Sequence, residues 1–382
     1  MDPVAKKFEI ESEPDTPVHT FDVAIVGGGI LGLATACELL SLGYSTVVID
    51  DAPEDSATSA SGGMLSPFAE LSQTEQQREL MVEALQSYPD FVANVERTAG
   101  CRIEINFPGT LYIDTASDVP LDELTYRFRE SGADASYLDP NDVTQNEPSL
   151  EIGDNGAILL ADEGYVEPRQ LHRGLRAAFE LLGGVWRSAH ALDLEFVEDR
   201  ICGVRTGHGF EPARSVFCSA GAWGARFLTE DDQKRYEPTP VRGEIVRVRP
   251  TRRRDSIRHI LHGRDDVYLV PQEDGTVLVG ATSSFNDGTL RTTNRGVREL
   301  LDKASRIVPI LDEWEFLEAW SGIRPMARDG APQLVDDPRP GLFHGIGLYR
   351  HGILLGPTLG ARMARRIAAY LFQSGGRREL LG

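Results

Sequence analysis

The segment from Phe21 to Asp50 constrains the fold more than any other part of the chain. FDVAIV (residues 21–26) is a short, almost wholly apolar run of the kind a buried parallel strand needs. Gly27, Gly29 and Gly32 follow it with G-x-G-x-x-G spacing, and LATACELLSLG then carries apolar residues at helical spacing up to Gly43. STVVI (residues 45–49) reads as a second β-branched strand, with Asp50 at its end. Gly27 suits a tight turn, Gly29 lets the backbone approach a pyrophosphate, and Gly32 lets the helix pack close to the strand. The helix N-terminus then presents unpaired N–H groups and partial positive charge to the phosphates. Asp50, 18 residues after Gly32, stands near the spacing at which a carboxylate accepts from a ribose hydroxyl. A dinucleotide site is expected here, and the motif alone does not separate NAD from FAD.

Composition narrows the partners. The 382 residues suffice for two or three domains. Lys and Arg total 39 against 59 Asp and Glu, a net charge of −20, which argues against nucleic acid or an anionic membrane as partner. No uncharged apolar run is long enough for a transmembrane helix, so no membrane insertion is expected. The N-terminus lacks the apolar core of a signal peptide, and residues 1–20 read as a mobile polar tail. Cys37, Cys101, Cys202 and Cys218 stand singly without metal-ligand spacing, which favours free thiols and a cytoplasmic location. His259-x-x-His262 has no third ligand in view, so no metal is expected.

Further along, residues 56–64 (SATSASGGM) form a stretch of small and hydroxyl side chains able to approach a flat ring closely. Ser72 and Glu75 form a capping box opening a helix expected to reach the Tyr88-Pro89 interruption. RIEINF and TLYIDT read as strands, residues 121–130 as a helix, and Glu167-Pro168 opens another helix closed by Gly183-Gly184. Strand patterns at 190–197, 200–206 and 214–218 lead to Ser219, and residues 240–283 alternate as an antiparallel sheet does. A helix at 294–307, strands at 315–320 and GLFHGIGL, and a helix after Pro357 complete the chain. The expected class is a mixed α/β fold, a Rossmann-like nucleotide-binding domain interleaved with an antiparallel-sheet substrate domain. Residues 21–85, 150–235 and 325–382 are assigned to the first, and 86–149 and 236–324 to the second.

VAIVGGGILGLATACELL, ATSASGGMLSPFAE, DEGYVEPRQL, PVRGEIV, VYLVP, LVGAT, SGIRPMARDGAP and LYRHGILLGP, in that order, resemble the D-amino-acid oxidase-like flavoproteins, and within them the glycine oxidase (thiamine-pathway) branch. The resemblance spans about residues 22–370. It implies non-covalent FAD, because no cysteine follows Cys218 to form the flavin link of sarcosine oxidases. It places Ile30 and Leu31 at the pyrophosphate turn, Asp50 and Asp51 at the adenosine ribose, and Ala191 on the adenine side. Ala57, Thr58, Ser59, Gly62, Gly63 and Met64 fall beside the flavin, with Leu348, Tyr349, His351, Gly352, Ile353 and Leu354 as the closing segment. Tyr268, Arg324 and Arg350 map onto substrate-facing positions.

The activity implied is oxidation of a small α-amino acid (glycine, sarcosine or a small D-amino acid), with dioxygen as acceptor and hydrogen peroxide as product. The imino acid is then hydrolysed or consumed by a thiazole-forming partner, and a homotetramer is implied by the resemblance alone. A dehydrogenase passing electrons to a quinone, or a dinucleotide-binding protein without turnover, stays open as an alternative. Two positions depart from the expected glycine oxidase pattern and are expected to face the site: Asp266 replaces a histidine and Ser283 a methionine.

Overall fold

Phe21–Val26 has all six residues buried, as a strand covered on both faces must. In the computed structural model, which describes residues 20–51, 54, 56–68, 74–113, 119–152, 156–263 and 267–374, this strand pairs in parallel with Thr46–Ile49 on one side and with the second half of Gly209–Cys218 on the other. Val185–Arg187 and Leu342–Ile346 extend the parallel set at its two flanks. Ala191–Val197, Arg200–Thr206 and Gln333–Asp336 add antiparallel pairings, making eight strands. One face is covered by the helices Ile30–Ser41, Glu75–Ala99, Pro168–Leu181 and Gly352–Gln373, whose Leu33, Met81, Phe179 and Met363 share one apolar core. Among the described residues, no helix is long and apolar enough to cross a membrane.

A nine-stranded mixed sheet forms the second layer, built on Thr239–Arg249 paired antiparallel with Glu315–Met326 along its full length. Three more strands, Met64–Leu65, Ile105–Asn106 and Gly164–Val166, form a small sheet of their own. The second sheet meets the short helix Ala57–Ala60 where Gly322 faces Ala60. A Cβ at Gly322 would lie 2.5 Å from that of Ala60, and the Trp320 indole N–H donates to the Ala60 carbonyl at 3.0 Å. The boundaries drawn at residues 86 and 150 cut across this architecture. The helix Glu75–Ala99 packs whole into the core of the parallel sheet, and Ala157–Leu160 pairs with Thr110–Ile113 in the nine-stranded one.

Several elements differ from expectation for local reasons. Ser72 lies outside the described residues, and the capping box is Thr74 with Gln77, each side chain bonding the other's backbone N–H. The helix then runs through Pro89 to Gly100, which takes the left-handed conformation at φ 64°. Tyr88 compensates the weakened turn: its ring is buried, and its hydroxyl donates to the Ile353 carbonyl at 3.1 Å. Glu315–Met326 extends through Pro325, which stands opposite Pro240 where neither residue has an N–H to give. The last helix starts at Gly352, five residues before Pro357. Of the expected N-terminal tail only Thr20 is described.

Gly356 and Gly360 are one helical turn apart and lie against the first helix. Side chains there would come within 2.8 Å of Ile30 Cγ2 and of Ala34 Cβ, and within 3.0 Å of the Thr35 backbone nitrogen. Gly360→Val should therefore cost about 1–3 kcal/mol through overpacking. Gly224→Ala, where an added Cβ meets open space, should stay within about 0.5 kcal/mol of the parent. Urea unfolding of the two variants checks this; equal midpoints would show that the helices do not depend on the close approach.

Candidate active site

A cleft of about 580 Å³ opens at the carboxyl ends of Phe21–Val26 and Thr46–Ile49 and reaches the strand Glu315–Met326 and the start of the last helix. This is the crevice where an open α/β sheet takes its ligand. Gly27, Gly29, Ile30, Leu31, Asp50 and Asp51 line one wall. Gly27 has φ 101°, and a Cβ there would lie 2.6 Å from the Ser219 carbonyl, so only glycine fits. At Gly29 the nearest protein atom to an added Cβ is Thr58 Oγ1 at 3.3 Å, which leaves the backbone open to the cleft. Gly32 does not line it: its Cα faces the Gly27 carbonyl, 2.0 Å from an added Cβ, so its part is helix–strand packing rather than ligand contact.

Asp50 Oδ2 accepts from the Gly28 N–H at 2.6 Å. Asp51 Oδ2 lies 3.1 Å from His190 Nδ1, and Arg226 approaches His190 Nε2 at 3.4 Å while also donating to the Leu192 carbonyl. Ala191 lines the cleft beside this group. Thr58 Oγ1 accepts from the Ile30 N–H at 3.0 Å, satisfying one orphan amide of the first helix. Ala57, Thr58, Gly62, Gly63 and Met64 line the cleft. Ser59 does not. Its hydroxyl, on the opposite face of the short helix Ala57–Ala60, is 2.9 Å from His172 Nδ1.

Around Tyr268 the walls are shaped by three glycines. Cβ atoms at Gly62 and Gly280 would lie 2.8 Å and 2.4 Å from its ring, and one at Gly243 would lie 2.5 Å from the Arg324 guanidinium carbon. Burial pushes the Tyr268 phenol above its ordinary range, against the lowering influence of the charges of Arg324 and Arg350 and a hydrogen bond from Arg324. The three side chains are thus brought together, and the phenol stays neutral at ordinary pH. Arg324 Nη1 also donates to the Thr282 carbonyl at 3.0 Å.

Thr282 in turn belongs to a buried ionic group. Its hydroxyl donates to Glu244 Oε2 at 3.2 Å, and Arg242 lies 3.0 Å from Glu244 and 2.8 Å from Asp287. Hydrogen bonds from Thr289, then from Arg242, hold the Asp287 carboxyl well below the usual carboxylate range. Tyr349, beside Arg350, takes φ 44°, a conformation costing of order 1–3 kcal/mol that the surrounding segment must hold. Leu348, Tyr349, Arg350, His351, Gly352, Ile353 and Leu354 all line the cleft.

Ser283 is exposed and outside the cleft lining, which corrects the expectation that it faces the site: the Thr282 hydroxyl, not its neighbour's, turns inward. Asp266 lies outside the described residues. His259 is bonded to the buried Glu147 at 2.7 Å, while His262 stacks on Tyr112, and no cluster of three or more metal-ligating side chains occurs among the described residues. The described cleft lining contains no cysteine, and burial pushes the Cys37 thiol up to about 12 and that of Cys218 higher still. His190, Arg226, Ser66 and Trp223 also line the cleft and carried no motif by which to find them.

The FAD dependent oxidoreductase (DAO) family matches residues 22–366. Glycine oxidase of Geobacillus kaustophilus (strain HTA426) is 30% identical over 354 residues, covering 91% of this chain and 92% of that protein. The bifunctional protein ThiO/ThiG of Synechocystis sp. (strain ATCC 27184 / PCC 6803 / Kazusa) is 30% identical over 350 residues, 90% of this chain but 51% of that protein. The crystal structure of the Geobacillus kaustophilus glycine oxidase superposes with a TM-score of 0.84 at 28% identity, covering 94% of this chain and 96% of that one. With a glycine turn open to the cleft at Gly29 and carboxylates at Asp50 and Asp51, the residues present fit a dinucleotide, and the chain belongs to the family of FAD-dependent oxidoreductases, with FAD as its cofactor.

Proposed function

We propose that this protein is an amino-acid oxidase that takes a small α-amino acid such as glycine, sarcosine or a small D-amino acid. The observation that carries the reading is the gathering of Arg324, Arg350 and Tyr268 in the same cleft as the glycine turn. FAD, when bound, would supply a two-electron acceptor for the hydride that leaves Cα as the amino acid, its nitrogen giving up a proton, becomes an imino acid, with dioxygen as the terminal oxidant and hydrogen peroxide as the product.

The part of the protein is binding and orientation. Arg324 offers the planar, paired N–H groups that match a carboxylate in a fork, and Arg350 adds a second positive contact. Tyr268, kept neutral, holds its proton as a hydrogen-bond donor to the same carboxylate. Fixing that group fixes Cα, so these residues act through pose as well as affinity. The Arg242–Glu244–Asp287 group, its first two members buried, positions Thr282, and through its carbonyl Arg324. On the other wall, Gly27, Gly29, Ile30 and Leu31 would hold the pyrophosphate, Asp50 and Asp51 the ribose, and Ala191 the adenine side. Ala57, Thr58, Gly62, Gly63, Met64 and the segment Leu348–Leu354 would enclose the flavin. The name of one relative, glycine oxidase, supports an amino-acid substrate.

Asp50→Ala should weaken FAD binding about ten- to hundredfold, because a charge-assisted acceptor is lost from the cleft and from the Gly28 N–H. Flavin fluorescence titration of the apoprotein reads this, and an unchanged Kd would remove Asp50 from the cofactor. Arg324→Ala should retain FAD yet weaken carboxylate binding by at least about thirtyfold, as loss of one partner of a buried charged pair does. Arg324→Lys should recover part of the loss, since an ammonium lacks the fork. Titrating the flavin spectrum with benzoate or glycolate measures this without turnover. Equal dissociation constants for parent and Arg324→Ala would take away the argument for a carboxylate-bearing substrate.

A further inference from the structure

His172 is a buried imidazole, 4% exposed, on the helix Pro168–Leu181, and nothing in the proposed chemistry uses it. Its two ring nitrogens are both engaged. Nε2 lies 2.7 Å from the Gly28 carbonyl and Nδ1 2.9 Å from the Ser59 hydroxyl, which also accepts from Ser56 Oγ at 3.1 Å. A carbonyl only accepts, so Nε2 carries the proton; in the neutral ring Nδ1 then accepts from Ser59. Burial, the largest influence on this ring, favours the neutral form, opposed by the Gly28 hydrogen bond and the charges of Asp50 and Glu54.

The consequence lies in the peptide group that Gly28 and Gly29 share. It is planar and trans, so its C=O and N–H point in opposite directions. With the Gly28 carbonyl held from beneath by His172, the Gly29 N–H must point away from that helix, toward the side on which Gly27 and Gly29 line the cleft. The Trp186 ring closes the space at Gly28, 2.3 Å from an added Cβ, and Gly28 itself does not line the cleft. The other nitrogen of the same ring ties down Ser59, next to Thr58, whose hydroxyl caps Ile30 N–H.

We infer that His172 is a positioning residue for the cofactor: one imidazole, bonded to Gly28 and Ser59, turns the Gly29 amide toward the pyrophosphate and locks the hydroxyl-rich segment against the glycine turn. This rests on the cleft holding FAD and not on the identity of the substrate.

Three variants of the full chain test it: His172→Ala, His172→Gln and His172→Asn. A glutamine amide reaches the place of Nε2 and can donate to Gly28; an asparagine amide reaches only the place of Nδ1. Each apoprotein is titrated with FAD by flavin fluorescence and with ADP, which carries the pyrophosphate but no flavin, and its thermal unfolding is recorded without ligand. His172→Ala should raise the Kd for both FAD and ADP about ten- to hundredfold, and His172→Gln should recover most of that loss while His172→Asn does not. A residue serving stability alone would lower the melting temperature of the apoproteins and leave the Kd of the folded fraction unchanged. The inference is overturned if His172→Ala binds FAD within about threefold of the parent, if ADP binding is unaffected, or if Gln binds no better than Asn. Should the alanine variant not fold, the Gln and Asn pair decides alone. Failure of the parent to bind FAD would contradict the cofactor assignment itself.

Discussion

The contact on which this molecule depends is that between the Gly27 carbonyl and the start of the first helix. Gly32 brings the helix to within van der Waals reach of that carbonyl, and Gly27, at φ 101°, clears the backbone of Ser219, just past the end of the neighbouring strand. Ser219 closes the arrangement, its N–H donating to Val26 and its hydroxyl to Gly27. The helix axis is thereby aimed at the crevice between parallel strands, and although Thr58 caps the Ile30 N–H, the partial positive charge of the helix N-terminus still faces the cleft. Every other part of the cleft takes its place from this origin: Asp50 bonds Gly28, Thr58 bonds Ile30, and the last helix rests on the first through Gly356 and Gly360.

The second sheet brings the chemistry to that origin. Its long strands, Thr239–Arg249 and Glu315–Met326, form a rigid ladder that carries Arg324 into the cleft, and its contact with the first layer is fixed by Trp320 on Ala60 and by the absence of a side chain at Gly322. A guanidinium placed this way is held by backbone geometry at both ends, with Gly243 beneath it and the Thr282 carbonyl at its tip. Such preorganisation lowers the entropy lost when a bound group is oriented.

Much of this was legible in the sequence wherever the signal is local. The strand–glycine–helix–strand run, the helix Leu121–Glu130 and the Glu167-Pro168 helix start all follow from spacing and caps. Where two local signals compete, the sequence does not choose. Ser72-x-x-Glu75 and Thr74-x-x-Gln77 both fit the capping-box pattern, and the latter caps the helix. Proline misled twice, because tertiary contacts override it: Tyr88 packing carries the helix past Pro89, and pairing with Pro240 carries the strand past Pro325. Which of the neighbouring hydroxyls of Thr282 and Ser283 faces inward depends on the backbone at the strand end, and the four-residue helix Ala57–Ala60 has two faces, Ser59 taking the one turned toward His172. His172 was invisible, since its partners Gly28 and Ser59 are more than a hundred residues away in the chain.

The central claim is that one cleft joins a non-covalent FAD to a carboxylate-reading pair of arginines. The most direct measurement is anaerobic mixing of the purified protein with a panel of small amino acids and the matching amines that lack the carboxylate, following the visible flavin band. The account predicts that at least one of glycine, sarcosine or a small D-amino acid bleaches the band, that the corresponding amine does not, and that air restores the band with release of peroxide. Bleaching by the amines as readily as by the amino acids, or by none of the panel, would contradict it.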